Sequence, residues 1–185
     1  MDISRWRANL ESQREEKDRF FASLWQSPIP REDRARFTGL DYYPADPEYV
    51  FELDVHEHAE KSVLKMSYTK GNERDFLRWG EFRLTVGGGK QVIQAYKSGY
   101  EQEGLFILFK DATSGRETYG GGRYIDLDPE NDIGPDGKWI LDFNKAYNPW
   151  CVYSEDFTCP LVPQENCLDV AVPAGEKAYP LKKGY

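Results

Sequence analysis

No stretch of this 185-residue sequence is apolar for long enough to cross a bilayer as a helix, which takes about 20 residues. The opening, MDISRWRANLESQREEKDRF, is charged almost from its first residue and lacks the apolar run of a secretory signal. The expected location is therefore the cytoplasm. Basic residues are scarce, 24 Lys and Arg against 32 Asp and Glu, for a net charge of −8. A phosphate backbone is held by clustered Lys and Arg that displace counterions, so nucleic acid is not the expected partner, nor is an anionic membrane surface. Only two histidines occur, His56 and His58, which leaves few bases for activating a hydroxyl nucleophile. Cysteines number three, Cys151, Cys159 and Cys167, an odd count that points to thiols or ligands rather than a disulfide framework. There is no internal repeat and no low-complexity tract.

Aromatic residues are abundant: twelve Tyr, ten Phe and five Trp, 15% of the chain. The length suits a single domain over 1–185. Ile3, Trp6, Leu10, Lys17, Phe20, Phe21 and Leu24 recur at helical spacing behind Asp2 as N-cap, predicting a helix within 1–27 that ends at the Pro of SPIP. Its middle, ESQREEKDR, is charged on every face and is expected to be solvated. Residues 28–48 hold too many large apolar groups for a free linker and read as an ordered connection.

From residue 49 onward the period becomes two. Tyr49, Phe51, Leu53 and Val55 share one face, as do Leu64, Met66 and Tyr68, and Phe82, Leu84 and Val86 alternate with Glu81, Arg83 and Thr85. GGGK predicts a hairpin turn, LFILF a central strand covered on both faces, GRYIDLD and KWILDFN two further strands, and CLDVAVPAG a final one. The fold expected is mainly β: an antiparallel meander forming a barrel or sandwich, with the N-terminal α-helix packed against it. The β domain covers 49–185, with a Cys/Pro-rich loop at 147–167.

The glycines of TYGGGRY run into a strand rather than a helix, so they are no phosphate cradle. They mark a bulge, a close backbone crossing, or room for a ligand with Tyr119 and Arg123 at its edge. Strand alternation turns Arg123 inward, where it needs a carboxylate or an anionic ligand; Asp126, Asp142 and Glu117 are the nearest acids in sequence. Ser114 beside Asp111 lacks a base and sits in an ordinary TSG turn. His56 and His58 fall in a turn between strands, at a spacing that also suits a metal pair. The three cysteines are eight residues apart, without the close pairs of structural zinc sites, and small buried thiols account for them. In DFNKAYNPW and ENC, Asp142, Asn144, Tyr147, Asn148, Glu165 and Asn166 either satisfy loop backbone groups or wall a pocket, with Asp142 or Glu165 as acid or base.

The blocks LFKDATSGRETYGGGRYIDLD, LDFNKAYNPWCVYSEDFTCPLVPQENCL and AGEK, with the earlier FTGLDYYP, resemble the domain of unknown function 1684 family of bacterial and archaeal proteins. Asp111 to Tyr124, Asp142 to Pro149, Cys151, Cys159-Pro160 and Glu165-Asn166 match its pattern. The resemblance implies no activity and names no cofactor. Cys167 falls outside the pattern, which disfavours a three-cysteine metal site, while Glu117, Tyr119, Arg123, Asp142, Asn144, Tyr147, Asn148, Glu165 and Asn166 fall inside it.

The expected function is a site for a polar or anionic small molecule where the two motif blocks meet, under the cysteine loop. Arg123 is its anchor, Tyr119 and Tyr147 its walls, and Asn144, Asn148 and Asn166 its polar contacts. The alternative is a structural or protein-interaction module without pocket chemistry. A lesser one is a zinc- or thiol-dependent enzyme using Cys151 and Cys159.

Overall fold

The alternating segments become two antiparallel sheets in the computed structural model, which describes residues 2–180. Met1 and residues 181–185, the ends of the expected 1–185 span, lie outside the described residues. In chain order the strands are β1 (Val50–Leu53), β2 (His56–Glu57), β3 (Val63–Ser67), β4 (Glu73–Val86), β5 (Gly89–Lys97), β6 (Leu105–Phe109), β7 (Arg123–Leu127) and β8 (Trp139–Asp142). β4, β5, β6 and β7 follow one another across the larger sheet as a meander, and β2 and β3 pair with successive halves of the long β4. β1 and β8 form the smaller sheet. Among the described residues no ladder joins β7 back to β2 or β3, so the larger sheet is open and the fold is a sandwich rather than a barrel.

Period-two patterning places the core. Phe82, Leu84, Val86, Ile93, Leu105, Ile107 and Phe109 face inward from the larger sheet, and Leu141 and Phe143 meet them from the β8 side. Tyr49, Phe51, Leu53 and Val55 cover the same cluster from β1 and its flanks. β6 is central and doubly covered: its other face gives Leu108 and Phe106 to a second cluster with Met66, Tyr96, Tyr124, Cys151 and Cys159. The Cys/Pro-rich loop is thus a lid on the outer face of the larger sheet. Gly87 and Gly88, both at positive φ, make the two-residue turn between β4 and β5.

Helix α1 spans Ile3–Ser23, with Asp2 accepting a hydrogen bond from the Arg5 amide as N-cap. Leu10 and Phe21 are its buried apolar residues, and Phe21 packs edge-on to Tyr153 at 4.9 Å. The expectation of a solvated middle is corrected. Arg14 donates to the carbonyls of Tyr43 at 3.0 Å and Asn144 at 3.2 Å, Asp18 accepts from the Leu40 amide at 3.0 Å, and Lys17 pairs with Glu176. These charges dock the helix because their partners lie on other elements, which periodicity cannot see.

The expected strand at 167–175 is also corrected. Outside a single bridge between Lys110 and Cys167, this segment joins no ladder. Its backbone acceptors are used elsewhere: the carbonyls of Val172, Ala174 and Glu176 all receive the Arg123 guanidinium. Gly175 holds this geometry at φ +79°, and an added Cβ there lies 2.6 Å from the Ala146 carbonyl and 2.7 Å from that of Phe143. Gly175→Ala therefore combines a left-handed backbone with a backbone clash, and is expected to cost about 2 kcal/mol or more. Urea unfolding checks this; a loss below about 0.5 kcal/mol contradicts the packing described.

Candidate functional site

The two motif blocks meet. Tyr124 and Tyr147 exchange backbone hydrogen bonds of 2.9 Å in both directions, which sets β7 beside the turn that follows β8. The glycine-rich stretch resolves into a turn closed by the Gly122 amide on the Tyr119 carbonyl, with Gly122 pressed against the Phe109 carbonyl. It is a close backbone crossing. Tyr119 is half-buried against Phe21, Ile29 and Tyr153.

Arg123 is wholly buried, 0% exposed. Its terminal nitrogens reach the carbonyls of Val172 (2.9 Å), Ala174 and Glu176 (3.3 Å), and Asp111 Oδ1 lies 3.5 Å away. Its face stacks 5.2 Å from the Phe109 ring centre. The counter-ion is therefore Asp111, not the Asp126, Asp142 or Glu117 nearer in expectation. Arg123 pairs in register with Phe109 on β6, and Asp111 follows two residues on, returning to the same side. Asp111 is itself held by Thr113 Oγ1 at 2.9 Å, Ser114 Oγ at 3.1 Å and the Val172 amide at 2.7 Å. Burial pulls the Arg123 guanidinium below its ordinary pKa, while Asp111 opposes that shift. Placed so, the guanidinium addresses the chain's own carbonyls.

Asp142, 1% exposed, accepts from the Trp6 indole at 2.8 Å and from both the amide and side chain of Asn144 at 2.9 Å. Asn144 also clamps Asp46, accepting from its amide and donating to its carbonyl. The residue that organises this region is Glu176, which lies in the AGEK block of the family resemblance but has no local pattern to set it apart from the other acids. At 1% exposure it accepts from Lys17, from the Asn148 amide at 2.8 Å and from the Tyr153 hydroxyl at 2.9 Å. Burial, then the Glu176 charge, drives the Tyr153 phenol well above its ordinary pKa. Tyr42 is shifted upward by the same two causes in that order. Tyr43 donates to Glu117 at 3.1 Å and is pushed up to about 12, chiefly by burial and then by that bond.

Between α1 and this network lie two recesses. The larger, ≈ 490 Å³, runs along Trp6, Leu10, Asp132, Asp142 and Lys145. The smaller, ≈ 230 Å³, is walled by Arg14, Lys17, Tyr42, Asn144, Tyr147 and Glu176, with Lys145 shared between the two. Lys17 is paired with Glu176 and Lys145 with Asp132 at 2.7 Å, whereas Arg14 has no ion-pair partner among the described residues. Its guanidinium contacts carbonyls and the Tyr42 ring at 4.4 Å, with Asp142, Glu176 and Glu11 acting at longer range, and its Nε is buried without a hydrogen-bond partner among the described residues. Desolvation lowers its pKa.

The other sequence candidates lie elsewhere. Glu165 is bound by Arg78 (3.0 Å) and Tyr96 (2.6 Å) beside the cysteine loop, so it shares no partner with Asp142. Asn166, fully buried, bridges the amide and carbonyl of Gln94 to the Leu108 carbonyl. Asn148 donates its side chain to the Lys177 carbonyl, and Tyr147 donates its hydroxyl to Asp126. Cys151 and Cys159 are buried and in no disulfide, with the Cys151 amide 3.2 Å from the Cys159 sulfur. His58 contacts Gln94 at 2.8 Å. Among the described residues no cluster of His, Cys, Asp or Glu is disposed to hold a metal, and no helix is long and apolar enough to cross a membrane. Arg14, Lys17, Tyr42 and Glu176 are the site residues that sequence reasoning did not select.

A family model described as a protein of unknown function (DUF1684) matches residues 35–177. The chain is also similar to the solution NMR structure of an uncharacterized protein from gene locus rrnAC0354 of Haloarcula marismortui. The two share 38% identity and a TM-score of 0.72, over 95% of this chain and 96% of that one. No curated protein matches.

Proposed function

This chain belongs to the DUF1684 family, and on that premise we propose that it binds a small organic anion in the recess beneath α1. The observation that carries the reading is Arg14, a half-buried guanidinium with no carboxylate in contact, lining a recess that it shares with the ion-paired Lys17, Lys145 and Glu176. Burying a charge with no carboxylate in contact is costly, although Asp142, Glu176 and Glu11 act on it at longer range, and an anion at Arg14 offsets the remaining cost. In this reading Arg14 takes the anchoring role expected of Arg123. Tyr147 and Tyr42 are walls and Asn144 sets the polar edge. Asp142 holds Trp6 and Asn144 in place rather than moving a proton, and Glu165 stands outside the site. The reading is of binding by a cytoplasmic protein whose acidic surface is unsuited to nucleic acid.

Titration calorimetry with inorganic phosphate, acetate and succinate tests it. At least one of these anions is expected to bind, and Arg14→Gln is expected to weaken it by roughly tenfold, the effect of one charge-assisted hydrogen bond. Arg116→Gln, at an exposed turn position, is the control. Millimolar anions without heat, in protein shown to be folded, overturn the proposal. The structural-module reading then gains, favoured by the way Asn144, Asn148 and Asn166 spend their side chains on backbone groups of the same chain.

A further inference from the structure

Tyr147 also lines a second cleft of ≈ 390 Å³, beneath the cysteine loop. Phe106, Tyr124, Tyr147, Trp150 and Phe157 line it, and no lining residue is charged. Its rings stand nearly at right angles: Phe106 to Tyr124 at 77° and 5.1 Å, Tyr124 to Tyr147 at 85° and 5.9 Å, Trp150 to Phe157 at 79° and 5.1 Å. Walls set this way present both ring faces and ring edges to the space between them. The rings at the cleft's margins already attract cations, since Lys17 lies 5.0 Å over Tyr147 and Arg74 5.2 Å over Tyr68.

The roof carries matching charge. The cysteine loop over the cleft, residues 149–160, contains Glu155 and Asp156 and no Lys, Arg or His, whereas Glu165 and Glu176 farther along are already paired with Arg78 and Lys17. Asp126 adds a carboxylate that receives the Tyr147 hydroxyl. Aromatic faces attract a cation through their quadrupole, and nearby acids of one sign reinforce that field. A primary ammonium or guanidinium is poorly served here, because no carboxylate lines the cleft to accept its N–H groups and buried donors without acceptors are costly. A cation without N–H groups carries no such cost.

We propose that this cleft is a binding site for a quaternary ammonium group. Trp150 is 39% exposed at its mouth, so it reports binding and tolerates substitution. Choline and tetramethylammonium are titrated against the intact protein, following Trp fluorescence and indole NMR shifts. Ethanolamine and the neutral isostere 3,3-dimethylbutan-1-ol serve as comparisons. Choline is expected to bind at least roughly tenfold more tightly than either, with Trp150→Ala losing roughly fivefold or more and Trp150→Phe retaining most of the affinity. Arg14→Gln is expected to leave choline binding unchanged, which separates this site from the anion recess. Equal binding of the neutral isostere, which marks a merely apolar cleft, overturns the proposal. So does equal binding of ethanolamine, an unchanged affinity in Trp150→Ala, or no saturation by choline up to about 10 mM. Displacement of choline's signal by a proline-rich peptide, with no choline saturation on its own, assigns the cleft to a different partner and likewise overturns it.

Discussion

Replacing Arg123 with methionine is expected to lower the unfolding free energy by about 3–5 kcal/mol, the range for removing one partner of a buried ion pair. The side chain is 0% exposed and its loss strands Asp111 and the carbonyls of Val172, Ala174 and Glu176. Methionine fills most of the stem volume, so the change reads mainly the charge and hydrogen bonds rather than a cavity. Urea or guanidinium unfolding gives the number directly. The double variant Arg123→Met with Asp111→Asn is expected to recover part of the loss, because the unpaired charge is then gone while an oxygen remains to accept from Thr113 and the Val172 amide. A single-variant loss below about 1 kcal/mol, or one that removes anion binding without loss of stability, returns Arg123 to the role of ligand anchor.

Glu176→Gln is expected to release the N-terminal helix. The substitution keeps the shape of the side chain and an oxygen that can accept from Tyr153 and the Asn148 amide, but it removes the charge and the second oxygen that hold Lys17. Lys17 is 27% exposed, so water compensates part of the loss. An effect of about 2–3 kcal/mol is expected, below that of a fully buried pair. The more specific readout is hydrogen exchange. Amides of Ile3–Ser23 are expected to lose protection while those of β6 and β7 keep theirs, because Leu105–Phe109 and Arg123–Leu127 are stabilised by the sandwich core. Uniform loss across helix and sheet instead makes Glu176 part of the global core. Unchanged helix protection shows that the apolar contacts of Leu10 and Phe21 suffice.

Both variants act on residues whose partners are distant in sequence, and this explains what could be read in advance. Strand positions such as Phe82, Leu84 and Val86 were legible because each side chain's direction follows from its immediate neighbours. Arg123 was legible as an inward charge by the same alternation, but its carboxylate was not. Asp111 reaches it only through the β6–β7 register. The polar motif residues were legible as a group, and the choice between pocket wall and backbone clamp was not. Asn166 and Asn144 bond to segments 58 and 98 residues away, and no local signal names those segments. The expected strand at 167–175 failed for the same reason: its alternating Val and Ala suit a ladder, yet its carbonyls are taken by a guanidinium.

By itself the sequence determined an antiparallel β architecture with one capped helix before it, a hairpin at Gly87–Gly88, and a central strand at Leu105–Phe109. These follow from backbone dihedral preferences and hydrophobic period, which act over a few residues at a time. Tertiary structure alone decided that the larger sheet stays open, and that the cysteine loop roofs an aromatic cleft. It also brought Lys17 to Glu176 across 159 residues of chain. An ion pair is chosen by distance and desolvation in the folded state, and neither quantity exists until the sheets have packed.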